Sequence, residues 1–131
     1  MSHIRSKDTV PEEIVRKYLF SKGFRYRKND SRFPGKPDIV LPKYKTVIFI
    51  NGCFWHRHEG CKNSVMPKTN TDFWKEKLSR NVERDRINYK KLEDLGWEVI
   101  LIWECQLENK NLHSELDKII SVIRTNYEQR N

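Results

Sequence analysis

Two β-branched, apolar runs, Asp38 to Leu41 and Thr46 to Asn51, are separated only by Pro42 to Lys45, and this spacing constrains the fold most. Such runs joined by so short a link predict a hairpin in the core of a sheet. Neither run alternates apolar with polar residues, so both faces of the hairpin require a cover.

Helices are available to supply it. Thr9 and Glu12 have capping-box spacing, Pro11 falls in the first turn, and Ile14, Val15, Tyr18 and Leu19 form one stripe, which predicts a helix from Thr9 to Lys22. Gly23 stops it, and a short strand through Asp30 then enters a turn rich in Pro34, Gly35 and Pro37. A long helix starts at Thr71, carries Trp74, Leu78, Val82, Asp85, Tyr89 and Leu92 at helical spacing, and ends at Gly96. Asp85 is the polar intruder on that stripe. Trp97 to Trp103 reads as a strand, and Ser114 with Asp117 as the cap of a last helix carrying Leu116, Ile119, Ile120, Ile123 and Tyr127. The order predicts an α/β or α+β sandwich in a single domain over residues 1–131.

The formal net charge is +8, and its distribution is uneven: 14 basic and 6 acidic residues precede Pro67, whereas 12 of each follow it. A polyanion is therefore the expected partner. The densest cluster is Arg25, Arg27, Lys28, Arg32 and Lys36. On a short strand Arg25 and Arg27 share a face that meets DNA-backbone phosphates, while Tyr26 points into the core. No apolar run reaches the about 18 residues of a membrane span, and Met1 to Lys7 does not resemble a signal peptide, so the expected location is the cytoplasm.

Between Gly52 and Lys68 periodicity disappears, and Cys53, His56, His58 and Cys61 crowd together, with Cys105 after the last strand. Three thiolates and one imidazole satisfy a structural Zn²⁺ that fastens the loop; spacing leaves open whether His56 or His58 is the ligand. Asp38 stands at a strand entrance near the end of the partner strand at Asn51, where a carboxylate with backbone carbonyls and water suits Mg²⁺ on a scissile phosphate. A histidine released from zinc is a proton acceptor for water. Phe54 and Trp55, between candidate ligands, suit a wedge between base pairs.

Several blocks together resemble one family: Phe33-Pro34-Gly35-Lys36-Pro37-Asp38, Val47-Ile48-Phe49-Ile50-Asn51-Gly52-Cys53-Phe54-Trp55-His56, Asn81-Val82-Glu83-Arg84-Asp85-Arg86, and Gly96-Trp97-Glu98-Val99 through Trp103-Glu104-Cys105. From Asp8 onward the chain resembles the very-short-patch repair (Vsr) endonucleases. The resemblance implies a restriction-endonuclease-like α/β fold, a three-layer core of mixed sheet flanked by helices, with a structural zinc. It implies Zn²⁺ ligands Cys53, His58, Cys61 and Cys105, a Mg²⁺-binding Asp38 with the Ile50 carbonyl, a water-activating His56, and an intercalating set of Phe54, Trp55 and Trp74. Glu12 and Asp85 match acidic residues near the family's active site.

Two departures stand out. Asn51 takes the place of a second active-site histidine found in one branch, and an amide hydrogen-bonds phosphate or water without exchanging a proton. Only seven residues precede Asp8, where relatives carry a longer arm. The expected activity is Mg²⁺-dependent nicking of duplex DNA 5′ to the thymine of a T:G mismatch. The expected enzyme is a monomer on DNA, associated with mismatch-repair proteins and a cytosine methyltransferase system. The alternatives are a non-catalytic zinc module that binds DNA and a related nuclease acting on another distortion or site.

Overall fold

The hairpin forms at the expected place. The computed structural model describes residues 10–28, 32–53, 66–107 and 112–130. Strands β1 (Arg27–Lys28), β2 (Ile39–Leu41), β3 (Thr46–Asn51) and β4 (Glu98–Trp103) make one sheet in the order β1-β2-β3-β4. β2 and β3 are antiparallel, with Ile39 opposite Ile48 and Leu41 opposite Thr46. Their link is a single 3₁₀ turn, Pro42–Tyr44, closed by Lys45 in the left-handed region at φ 53°. β4 instead runs parallel to β3, from Thr46 beside Glu98 to Asn51 beside Trp103. Parallel neighbours need a crossover, which here carries the helix α2 (Thr71–Asp94).

Period-two alternation divides the apolar residues between two cores. Ile39, Leu41, Ile48 and Ile102 meet Val15 and Leu19 of α1 (Val10–Ser21), together with Leu116, Ile120 and Ile123 of α4 (Leu112–Arg130). On the opposite face Val40, Val47 and Phe49 pack on Leu92 of α2, with Phe33, Tyr89, Trp97, Val99 and Leu101 around them. The result is the expected mixed sheet flanked by helices. None of the helices among the described residues is long and apolar enough to cross a membrane.

Both predicted glycine stops are Schellman motifs. After α1 the Phe24 amide donates to Leu19 O and the Gly23 amide to Phe20 O; after α2, Trp97 donates to Leu92 O and Gly96 to Glu93 O. Gly23 and Gly96 have φ of 93° and 91°, a region that a Cβ disfavours. In each case the following aromatic residue turns directly into a core.

Three expectations change. α4 begins at Leu112, so Ser114 and Asp117 lie inside it instead of capping it; Leu112 already packs on the core, which draws the helix start earlier. Asp117 Oδ1 instead accepts the Tyr18 hydroxyl at 2.5 Å, linking α4 to α1. The α2 stripe is interrupted, since Leu78 and Leu92 are buried but Val82 is 40% exposed. A one-turn helix, α3 (Glu104–Leu107), follows β4 directly. The capping-box Thr9 lies outside the described residues.

Gly23→Ala and Gly96→Ala are each expected to cost about 1 kcal/mol through backbone strain, because a Cβ at Gly23 meets nothing within 4 Å and one at Gly96 meets only Lys45 Cε at 3.9 Å. Chemical denaturation should show a lower midpoint with an unchanged slope.

Candidate active site

The Phe33–Pro37 turn is what aims Asp38. The Lys36 amide donates to Phe33 O at 3.1 Å, and Gly35 and Lys36 both have positive φ. A Cβ on Gly35 would come within 3.2 Å of Asn88 Cβ and of the Phe49 ring, so only glycine lets the turn lie this close to α2 and β3. Pro37 is buried, and Asp38 emerges just before β2. Its Oδ2 accepts the Ile50 amide at 2.6 Å, tying it to the carboxyl end of β3.

α1 brings two charged residues to the same place. Glu12 and Arg16 are 3% and 5% exposed, although neighbouring Glu13 and Lys17 face solvent. One helical turn separates Glu12 from Arg16, so both share the face turned to Asp38. Burial first, then the hydrogen bond and negative charge of Glu12, push the Asp38 carboxyl up to about 7, against the opposing Ile50 amide and Arg16 guanidinium.

The other wall comes from α2. Asn51, 3% exposed, closes β3 and donates through Nδ2 to the Tyr89 hydroxyl at 2.9 Å. The Tyr89 ring lies against Phe49, with centroids 5.0 Å apart. Its hydroxyl is pushed up to about 12 by burial and by the Asp85 and Asp38 carboxylates, against the opposing Asn51 hydrogen bond, so it stays neutral in any ordinary buffer. Asp85 is half-buried one turn before Tyr89. Asp38, Glu12, Arg16, Asn51, Tyr89 and Asp85 thus gather around the carboxyl end of β3.

Two cysteines share that end of the sheet. Cys53 and Cys105 each follow by two residues the paired positions Asn51 and Trp103 of parallel strands, and Cys53 is fully buried. Neither is in a disulfide among the described residues. α3 holds Cys105 in place: the Gln106 side chain accepts the Trp103 amide at 2.7 Å and donates to Glu115 of α4 at 3.1 Å. No group of three metal-binding side chains occurs among the described residues. His56, His58, Cys61, Phe54 and Trp55 lie outside them. Trp74 is half-buried in the first turn of α2, edge-on to the exposed Phe73.

Arg25 and Arg27 are exposed and flank Tyr26, which packs on the core, but the strand is shorter than expected: β1 holds only Arg27 and Lys28, both exposed, and Arg25 and Tyr26 precede it. The Arg25 guanidinium lies 4.4 Å from the centre of the Phe20 ring and donates to Phe24 O at 3.2 Å, so it is already braced.

Comparison with known proteins shows the family of the chain. The family model described as DNA mismatch endonuclease Vsr matches residues 1–63. A type II nicking enzyme, V.NmeAIP of Neisseria meningitidis serogroup A, is 55% identical over 125 residues, covering 95% of this chain and 89% of that one. The DNA mismatch endonuclease Vsr of Escherichia coli K12 is 43% identical over 110 residues, covering 84% of this chain and 70% of its own. This chain belongs to the Vsr endonuclease family. Of the residues singled out in the sequence, Glu12 lies beside Asp38, Asn51 ends the strand whose Ile50 amide holds Asp38, and Asp85 acts on Tyr89, the partner of Asn51. Two neighbours of this cluster were not singled out in the sequence: Arg16, and Tyr89, which stood only as one position on the stripe of the long helix. Spacing held the signal for both, since Arg16 lies one turn after Glu12 and Tyr89 one turn after Asp85.

A buried carboxylate whose pKa is raised holds a proton more tightly folded than unfolded, so stability falls as pH rises from about 4 towards about 7 and stays reduced above. Without added divalent cation, Asp38→Asn is therefore expected to stabilise the fold by roughly 2 kcal/mol at pH 8 and by little near pH 4. Arg16→Met should do the opposite, costing about 3 kcal/mol by leaving the two carboxylates without their guanidinium. Thermal melts at both pH values read both variants.

Proposed function

We propose that this Vsr-family enzyme hydrolyses one phosphodiester bond of duplex DNA on the 5′ side of the thymine of a T:G mismatch, with Mg²⁺ at Asp38. The observation that carries the reading is the buried meeting of Asp38 and Glu12 against the Ile50 amide. Two carboxylates concentrated at a strand end are a hard-cation donor set. Asp38 and the Ile50 carbonyl would hold Mg²⁺, with Glu12 oriented on its hydration water. When bound, the ion supplies charge neutralisation at the scissile phosphate and at the leaving oxygen.

The rest falls to the chain's own residues. His56 takes the proton from water as the water oxygen bonds to phosphorus and one phosphorus–oxygen ester bond breaks, its electrons leaving with the sugar oxygen. Asp85 orients His56, and Asn51 hydrogen-bonds a phosphate oxygen or the water. Phe54, Trp55 and Trp74 enter the base stack and hold the mismatch open. Arg25 and Arg27 contact the DNA backbone. Cys53, His58, Cys61 and Cys105 bind a structural Zn²⁺ that pins the 52–68 segment to the sheet; the adjacent ends of β3 and β4 support this by bringing Cys53 and Cys105 to one edge. Nicking beside the thymine starts repair of deaminated 5-methylcytosine, which gives a cytosine methyltransferase and mismatch-repair proteins as the associated systems.

Purified, zinc-intact enzyme with Mg²⁺ should nick T:G duplexes and leave matched ones whole, and Asp38→Ala should lower the rate about 10²-fold or more. Metal analysis should find about one zinc per chain. Uncut T:G duplex from such a sample overturns the assignment, and preferential cutting of another mismatch redirects it. The Arg25→Ala/Arg27→Ala variant should bind DNA more weakly, with a salt dependence flatter by about two units of slope.

A further inference from the structure

We infer that Tyr89 is a positioning residue of the nuclease site, acting through Asn51; this rests on the function proposed above. Asn51 is the last residue of β3, next to Ile50, whose amide holds Asp38. Its side chain follows Val47 and Phe49 to the α2 side of the sheet, where it is almost fully buried. An asparagine amide rotates in a broad torsional well and exposes different atoms after a half-turn. Left without a partner it would present a donor or an acceptor to the substrate interchangeably.

Tyr89 removes that ambiguity. Its hydroxyl receives an Asn51 Nδ2–H at 2.9 Å, consuming one amide hydrogen and fixing the amide plane. The hydroxyl is itself held in place, because the ring packs at a tilt against Phe49 beside the core of Val40, Val47 and Leu92. A phenylalanine would fill that place equally well, whereas a half-buried hydroxyl is unfavourable unless it is hydrogen-bonded. The bond to Asn51 is the hydrogen bond the hydroxyl makes among the described residues, 38 positions along the chain. Tyr89 therefore joins the rigid core to the residue that meets phosphate or water, leaving the remaining amide hydrogen and the carbonyl oxygen in fixed directions.

A double-mutant cycle on the full chain with zinc bound tests this. Tyr89→Phe should lower kcat for nicking about tenfold while leaving the KM for duplex unchanged. In an Asn51→Ala background the same change should have no further effect, because the group it positions is gone. An equal loss in both backgrounds, or none in the wild type, overturns the inference. In ¹⁵N-asparagine spectra the Asn51 side-chain amide should be dispersed and protected from exchange in the wild type, and shifted and exchanging faster in Tyr89→Phe. An unchanged resonance also overturns it. If the wild type cuts no DNA, the function reading fails, while the amide spectrum still decides whether Tyr89 holds Asn51.

Discussion

The ladder between β3 and β4 sets the position of the other parts. Parallel pairing from Thr46 beside Glu98 to Asn51 beside Trp103 makes the two strands end together, so whatever follows each strand begins at one edge of the sheet. Cys53 and the α3 residue Cys105 both follow that edge for that reason. The same ladder buries β3 on both faces, giving α1 and α4 one core and α2 the other. With β3 immobile, the Ile50 amide becomes a fixed donor, and Asp38 is located by it.

The site works against the stability of this scaffold. The cores on either side are apolar and well ordered, yet at the end of β3 a second carboxylate, Glu12, lies beside Asp38 below the surface. Burial above all, with the Glu12 charge added, raises the Asp38 pKa, and Arg16 offsets part of that rise. A carboxyl whose pKa is raised this far, in a cluster of charged groups below the surface, marks a candidate functional site. On the opposite wall, near the Asp85 carboxylate, Asn51 donates a hydrogen bond to Tyr89 between two uncharged groups. One side of the site thus supplies charge and the other supplies direction.

How much of this the sequence revealed varies with the range of the interaction involved. The hairpin, the two glycine-terminated helices and the stripe of Val15 and Leu19 depend on neighbours within a few residues, and all appear where spacing puts them. The Ser114 cap failed because Leu112 gains more by packing on the core than the chain gains from a capping hydroxyl. Asp38 and Asn51 stood out as polar residues at the edges of apolar strands. Arg16 and Tyr89 did not, since a basic residue on a helix and a tyrosine on an apolar stripe are ordinary until their partners are known. The histidines and aromatics of the 52–68 segment carry no periodicity, so there the motif was the whole signal.

The sequence by itself determined the element order, the two-sided burial of the hairpin and the family, because hydrophobic period, turn chemistry and contiguous motifs are properties of the local chain. Only the tertiary structure decided that β4 runs parallel beside β3, that Glu12 and Arg16 turn inward to Asp38, and that Asn51 is held by Tyr89. Those contacts join residues 22 to 52 positions apart, and a pairing at that distance is chosen by how whole faces pack, which no local pattern encodes.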